Sequence, residues 1–191
     1  MRFFASLRIK PEKNMFTINT RGPIYDPAAV QPMRDELVAA GFTELLMPGD
    51  VDTFLSKKDG TALVMINSVC GCAAGSARPG VTLALQNNII PDNLLTVFAG
   101  QDRDAIDHFR NSCLPGVPPS SPFIALFKNG EPVFIMQRMN IEGKTADMVA
   151  DELTAAFNKH CEKQGPSVPK EVFDAIMHAK ACGSKIPKYQ P

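Results

Sequence analysis

The chain has 191 residues, 45% of them hydrophobic, and its 20 basic and 20 acidic side chains leave no net formal charge. That length can bury a sizeable core without disulfide staples, and the balanced charge argues against general nucleic-acid binding, a membrane-surface role and wholesale disorder. The basic N-terminus holds an apolar stretch too short and broken for a signal-peptide core, and no run approaches the roughly 18 apolar residues that span a bilayer, so a cytoplasmic protein is expected.

Residues 1–24 show no clear period and are interrupted by Pro11, Gly22 and Pro23, with Met15 as an alternative start. Asp26-Pro27 then has the order of an N-cap followed by proline at the first helical position, and Val30, Met33, Leu37 and Val38 recur at helical spacing until Gly41. Pro32 is a candidate bend. A second cap is predicted at Asp50, before Val51, Phe54 and Leu55, with the helix ending at Lys57-Lys58-Asp59-Gly60. Every residue from Ala62 to Ile66 is apolar, the pattern of a strand buried on both faces. This strand runs directly into Asn67-Ser68-Val69-Cys70-Gly71-Cys72. Helical spacing follows through Ala77, Val81, Ala84 and Leu85 to about Asn88, with Pro79 as an internal interruption.

Leu94 to Phe98 reads as another strand, and Asp102 as the cap of a helix with Ala105, Ile106 and Phe109 on one side. After Pro115, Pro118, Pro119 and Ser121-Pro122 comes a strand from Phe123 to Phe127, which an Asn129-Gly130 turn joins to a strand from Val133 to Met136. Thr145 opens a last core helix with Val149, Leu153, Ala156 and Phe157 on its buried stripe. Beyond Cys161, Gly165-Pro166 marks a break. Val172, Phe173, Ile176 and Met177 then predict a short amphipathic helix, and the tail carrying Cys182 is expected to dock on the domain or on a neighbouring subunit.

There is no internal repeat. The organisation expected is an N-terminal extension (1–24), one domain (25–162) and a C-terminal extension with a short helix (163–191). The order of elements predicts an α/β fold, a thioredoxin-like three-layer sandwich with a central mixed sheet flanked by helices.

Five cysteines, three of them far apart, do not form the pattern of a secreted disulfide framework, and in a reducing compartment a close pair reads as catalytic or metal-binding. A thiol attacks a disulfide only as thiolate, and a helix start favours the anion through unpaired amides and the helix dipole. Cys70 is placed for that role, Cys72 for resolving the mixed disulfide, and Gly71 lets the backbone bend and leaves the sulfur approachable. A Cys70–Cys72 disulfide would close a tight ring, and departures from preferred geometry make such a bond easier to reduce. Two readings compete: a pair of packed core cysteines, or a zinc or copper site completed by Cys113, Cys161, His108 or His160. The metal reading lacks a second tight ligand pair.

The stretch from Asn67 to Gly75, followed by Ala77-Arg78-Pro79, closely resembles the bacilliredoxin family, thioredoxin-like proteins with a CGC motif. Further blocks carry the resemblance: Pro91-Asp92-Asn93, Val97 to Asp102, Pro119-Ser120-Ser121-Pro122 with Ala125-Leu126, and Ile141-Glu142-Gly143. Together they cover roughly Val30 to Cys161, and spaced blocks are far more specific than a lone C-x-C. The resemblance implies removal of bacillithiol, a low-molecular-weight thiol, from protein mixed disulfides, with Cys70 taking the adduct onto itself. Bacillithiol would then be a transient adduct, with no tightly bound cofactor and no metal. The implied partners are S-bacillithiolated proteins or other mixed disulfides and a thiol reductant, with no nucleic acid and no membrane. The family fold also implies that Ser121-Pro122 lies beside the motif, where a cis proline exposes backbone groups to a substrate segment.

One departure from the family pattern is Arg138-Met139-Asn140, where members commonly carry histidine after the arginine. Arg78 could attract the anionic malate portion of bacillithiol, or be a surface or capping arginine. His108 reads as a solvated helix-face residue, and spacing leaves Cys113, Cys161 and Cys182 open as packed, exposed or regulatory. A broader protein disulfide isomerase or reductase is the redox alternative, and a metal-handling or redox-sensing protein is the alternative outside catalysis.

Overall fold

A computed structural model of the chain describes residues 21–190. The readings made for residues 1–20, including Met15 as a start, lie outside these. The chain folds as an α/β protein around strand β2, Thr61–Asn67, which is buried along its whole length. Because side chains alternate across a strand, Leu63 and Met65 enter one core while Ala62, Val64 and Ile66 enter the other. Both faces therefore require a helical cover, and a three-layer sandwich results.

The other strands of the sheet are β1 (Thr43–Glu44), β4 (Asn93–Phe98), β5 (Phe123–Lys128) and β6 (Glu131–Met136), with the two-residue β3 (Ile89–Ile90) between β2 and β4 in the chain but outside the sheet. Their spatial order is β1-β4-β2-β5-β6. β4 runs parallel to β1 and β2, whereas β5 is antiparallel to β2 and β6. Asn129 and Gly130 both have positive φ, 54° and 85°, the conformation expected of an Asn-Gly hairpin turn between β5 and β6.

Helices α1 (Pro27–Ala39), α3 (Arg78–Ala84) and α6 (Ala146–His160) bring Leu37, Val81, Ala84, Val149, Leu153 and Phe157 to the Leu63 and Met65 face. The close crossing of α3 and α6 depends on Gly80: a Cβ there would stand 2.7 Å from Val149 Cβ and 2.8 Å from the Ala146 carbonyl. On the opposite face α2 (Pro48–Ser56) and α4 (Arg103–Cys113) contribute Val51, Ala105, Ile106, Phe109 and Cys113. Phe54, Phe109 and Phe127 pack with edge-on or tilted rings about that core. Among the described residues no helix is long and apolar enough to cross a membrane.

Several local expectations are corrected. α2 begins at Pro48, and Asp50 lies within its first turn, where its carboxylate accepts from the Leu46 and Met47 amides at 2.9 Å each. Asp102 does occupy the N-cap position of α4, yet its carboxylate accepts from Phe98 N and from Arg34 rather than from α4's own amides. Val38 is 46% exposed, because it follows Leu37 by 100° around α1 and so leaves the buried stripe.

The predicted helix after Cys72 contains a π-helical turn, Ala73–Ala77, in which the Arg78 amide reaches the Ala73 carbonyl. Pro79 follows this turn directly, inside a helical run that continues from Gly71 to Ala84. A short helix α5 (Arg138–Ile141) follows β6, and β7 (Lys163–Gln164) pairs antiparallel with β3. The tail helix α7 covers only Lys170–Asp174 and buries none of its residues. Val172 is 44% and Met177 86% exposed, and Ile176 alone packs against the main core. Five residues make too few turns to present a continuous apolar stripe.

Candidate active site

The β2 strand ends at Asn67, and after Ser68, Val69 and Cys70 the chain begins, at Gly71, the helical segment that leads into α3. Cys70 sits at this junction, with its carbonyl accepting from the amides of Ala73 and Ala74. The sulfur faces two donors, the Ala73 amide and the Ser68 hydroxyl, each at 3.3 Å. Cys72 Sγ lies 2.8 Å from Cys70 Sγ, outside the roughly 2.05 Å of a disulfide bond. Both cysteines are free and only half-buried.

Burial is the largest influence on Cys72 and pushes its thiol up to about 11. The hydrogen bond and the charge of Cys70 act in the same direction, while the positive charge of Arg138 opposes them. The pair is thus asymmetric: Cys72 retains its proton beside a Cys70 sulfur that faces hydrogen-bond donors.

The loop before β5 brings Ser121-Pro122 to the motif. The peptide bond between them is cis, and the Ser121 carbonyl oxygen lies 3.9 Å from Cys70 Sγ. Arg110 holds this loop through a 2.8 Å bond from Nη2 to the Ser120 carbonyl. Cys70, Gly71, Cys72, Ser121 and Pro122 accordingly form one neighbourhood, although they come from two distant segments of the chain. A concavity of about 280 Å³ reaches the same loop, with Ser121, Arg103 and Arg110 in its lining.

Arg78 occupies neither of the positions expected for it. Its side chain is fully buried, with Nε 2.8 Å from Glu36 Oε2 and Nη1 within reach of Asn67 Oδ1 and the Ser68 carbonyl. It therefore fixes the backbone that presents Cys70 and cannot meet a substrate carboxylate. Glu36 and Asn67 complete this support, since Asn67 Oδ1 accepts from the Ser68 amide and Asn67 Nδ2 donates to the Met33 carbonyl. Sequence reasoning missed Glu36. The available signal was a carboxylate between Met33 and Leu37, on the apolar stripe of α1, which calls for a buried cation.

The residues considered for completing a metal site are dispersed. Cys113 lies in the core beneath α2 and α4, Cys161 lies in the core on the other face, and His108 Nε2 is 2.6 Å from Asp52. His160 stands at the end of α6, where its carbonyl accepts from Lys128. Among the described residues no three His, Cys, Asp or Glu side chains converge as metal ligands. Met139, in the position where histidine was expected, is 76% exposed.

Comparison with known proteins agrees with this geometry. Residues 25–161 match the family model described as disulphide isomerase. The chain is 49% identical to a bacilliredoxin of Salinibacter ruber over 143 residues, covering 74% of this chain and 83% of that protein. It is also 49% identical to a bacilliredoxin of Cytophaga hutchinsonii, covering 71% and 99% of the two chains, and 47% identical to one of Halalkalibacterium halodurans, covering 72% and 95%. With a CGC motif at a strand-to-helix junction and this similarity across most of its length, the chain belongs to the bacilliredoxin family of thiol-disulfide oxidoreductases.

Proposed function

We propose that the protein removes bacillithiol from protein mixed disulfides, with Cys70 as the attacking thiolate. The observation that carries this reading is the setting of Cys70 Sγ, which faces the Ala73 amide and the Ser68 hydroxyl beside a Cys72 thiol that retains its proton. Donors directed at a sulfur favour its anion, the only form that attacks a disulfide efficiently. In the reaction, Cys70 attacks the bacillithiol sulfur of the substrate's mixed disulfide. The protein thiol leaves with a proton and the adduct passes to Cys70.

Ser121 and Pro122 line the approach, with backbone groups exposed to an extended substrate segment. The concavity beside Ser121, whose lining includes Arg103 and Arg110 together with Asp107, would receive the carboxylates of the adduct, a task that buried Arg78 cannot perform. Gly71 keeps the motif open to a bulky partner. An external thiol reductant restores the starting state.

The test is the intact mass of a model protein carrying one bacillithiol, followed after mixing with wild type or Cys70→Ser. Wild type should remove the adduct and Cys70→Ser should leave it at the background rate. Equal removal by the two proteins would refute Cys70 as nucleophile. If wild type leaves the adduct intact but reduces protein disulfides, the broader isomerase or reductase reading replaces this one.

A further inference from the structure

The structure places a third thiol at the motif. Cys182 lies beyond residue 161, where the family match ends. Yet a Cβ built on Gly71, the residue between the two motif cysteines, would stand only 3.8 Å from Cys182 Sγ. The cysteine is free and half-buried.

This position is held by a series of specific contacts. The Gly183 amide donates to the Val69 carbonyl at 2.6 Å, tying the residue after Cys182 to the residue before Cys70. Ile186 is buried among Val30, Met33, Val69 and Phe98. On the other side of Cys182, Arg78 Nη2 donates to the Ala179 carbonyl at 2.8 Å, the Ala179 amide donates to Glu36 Oε2, and His178 Nδ1 lies 2.6 Å from Glu36 Oε1. The buried Glu36–Arg78 pair therefore positions two things at once: the end of β2 that presents Cys70, and the tail that presents Cys182.

We propose that Cys182 is a resolving thiol of this site, attacking the Cys70 mixed disulfide and releasing the low-molecular-weight thiol. The inference rests on the proposed role of Cys70. As thiolate, Cys182 Sγ attacks Cys70 Sγ; the bond between Cys70 and the bacillithiol sulfur breaks and a Cys70–Cys182 disulfide forms. The departing bacillithiolate takes up the proton that Cys182 lost, so one disulfide replaces another without net oxidation. Two equivalents of a low-molecular-weight thiol then return both cysteines to thiols and leave as a disulfide.

The motif alone has a shortcoming that this step overcomes. In the motif as it stands, burial is the largest cause of the high Cys72 value, and a thiol pushed up to about 11 supplies little thiolate at neutral pH. A Cys70–Cys182 bridge also avoids the tight ring that Cys70 and Cys72 would close.

The experiment loads full-length Cys72→Ser and Cys72→Ser/Cys182→Ser with bacillithiol disulfide and follows each by intact mass and peptide mapping. Cys72→Ser should lose its adduct at least about tenfold faster than the double variant and yield a peptide crosslinked between Cys70 and Cys182. Adducts lasting equally long on both proteins, with no crosslink, would overturn the role of Cys182 while leaving that of Cys70 intact. If the double variant takes no adduct on its remaining motif cysteine, the Cys70 reading fails and this inference falls with it.

Discussion

Between Tyr25 and Cys161 the chain is organised by apolar burial: two cores on the faces of one sheet, with β2 and β5 contributing side chains to both. After Cys161 the connections are mostly polar, from the β3–β7 pairing and the Ser167 bonds to Leu85 and Ala40 through to the tail. The tail buries Ile186 behind the motif, and α7 buries nothing. Its register depends on hydrogen bonds to Val69, Arg78 and Glu36 and on an antiparallel bridge of Lys188 with Tyr25, where the Asp26 amide donates to the Pro187 carbonyl and the Tyr189 amide to the Ile24 carbonyl. A region secured by many apolar contacts unfolds with the whole domain, whereas one secured by a few directed bonds can open locally. The motif lies where the two regimes meet, with the Cys70 backbone held by the domain and the third thiol carried on a segment held mainly by directed bonds.

Changes to the shared anchor should disturb both regions. Arg78→Met leaves Glu36 buried without its cation and should cost about 3–5 kcal/mol in denaturant unfolding, besides loosening the tail. Glu36→Leu/Arg78→Met removes both charges and should recover a substantial part of that loss while the tail stays loose. If the single and double variants were equally unstable, the pair would not be the link between the regions.

A smaller change should separate them. Ile186→Ala removes the buried plug of the tail and should raise amide exchange or proteolysis across residues 178–190. The midpoint of global unfolding should move little by comparison, and crosslinking of Cys182 to Cys70 should slow. Loss of global stability matching that of a central core truncation would instead make the tail part of the cooperative domain.

The smallest effect lies at high pH and within the domain. Burial pushes the Cys113 thiol up from 9.0 to about 11. The unfolded chain therefore loses this proton first as pH rises, and stability should decline between about pH 9 and 11, by on the order of 1–2 kcal/mol for this group, with no contribution below that window. Cys113→Ala should flatten that limb in denaturant titrations at several pH values. An unchanged limb would assign the decline to Cys72 or to other groups.

Much of the site is legible locally because its parts are adjacent in sequence. An unbroken apolar run predicts a strand buried on both faces, and Cys70 and Cys72 follow it directly. The pairing of Ser121-Pro122 with Cys70 came from family resemblance, since a dipeptide alone does not specify a partner some fifty residues away. Arg78 reads as an exposed or substrate-facing cation until Glu36 is brought to it from α1. The short strands β1, β3 and β7 are two residues each and carry no period, so only the edges they pair with make them strands.

By itself the sequence determined the alternation of strands and helices, the double-sided burial of β2, the Asn129-Gly130 hairpin and the location of the CGC motif at a strand-to-helix junction. These depend on periodicity, turn chemistry and near neighbours, which act over a few residues. Only the tertiary structure decided that Arg78 is an internal anchor, that Ser121 stands over Cys70 and that Cys182 approaches Gly71. Each of those contacts joins residues from separate elements, and its geometry is set by the packing of the whole sheet and its helices rather than by any property of the local chain.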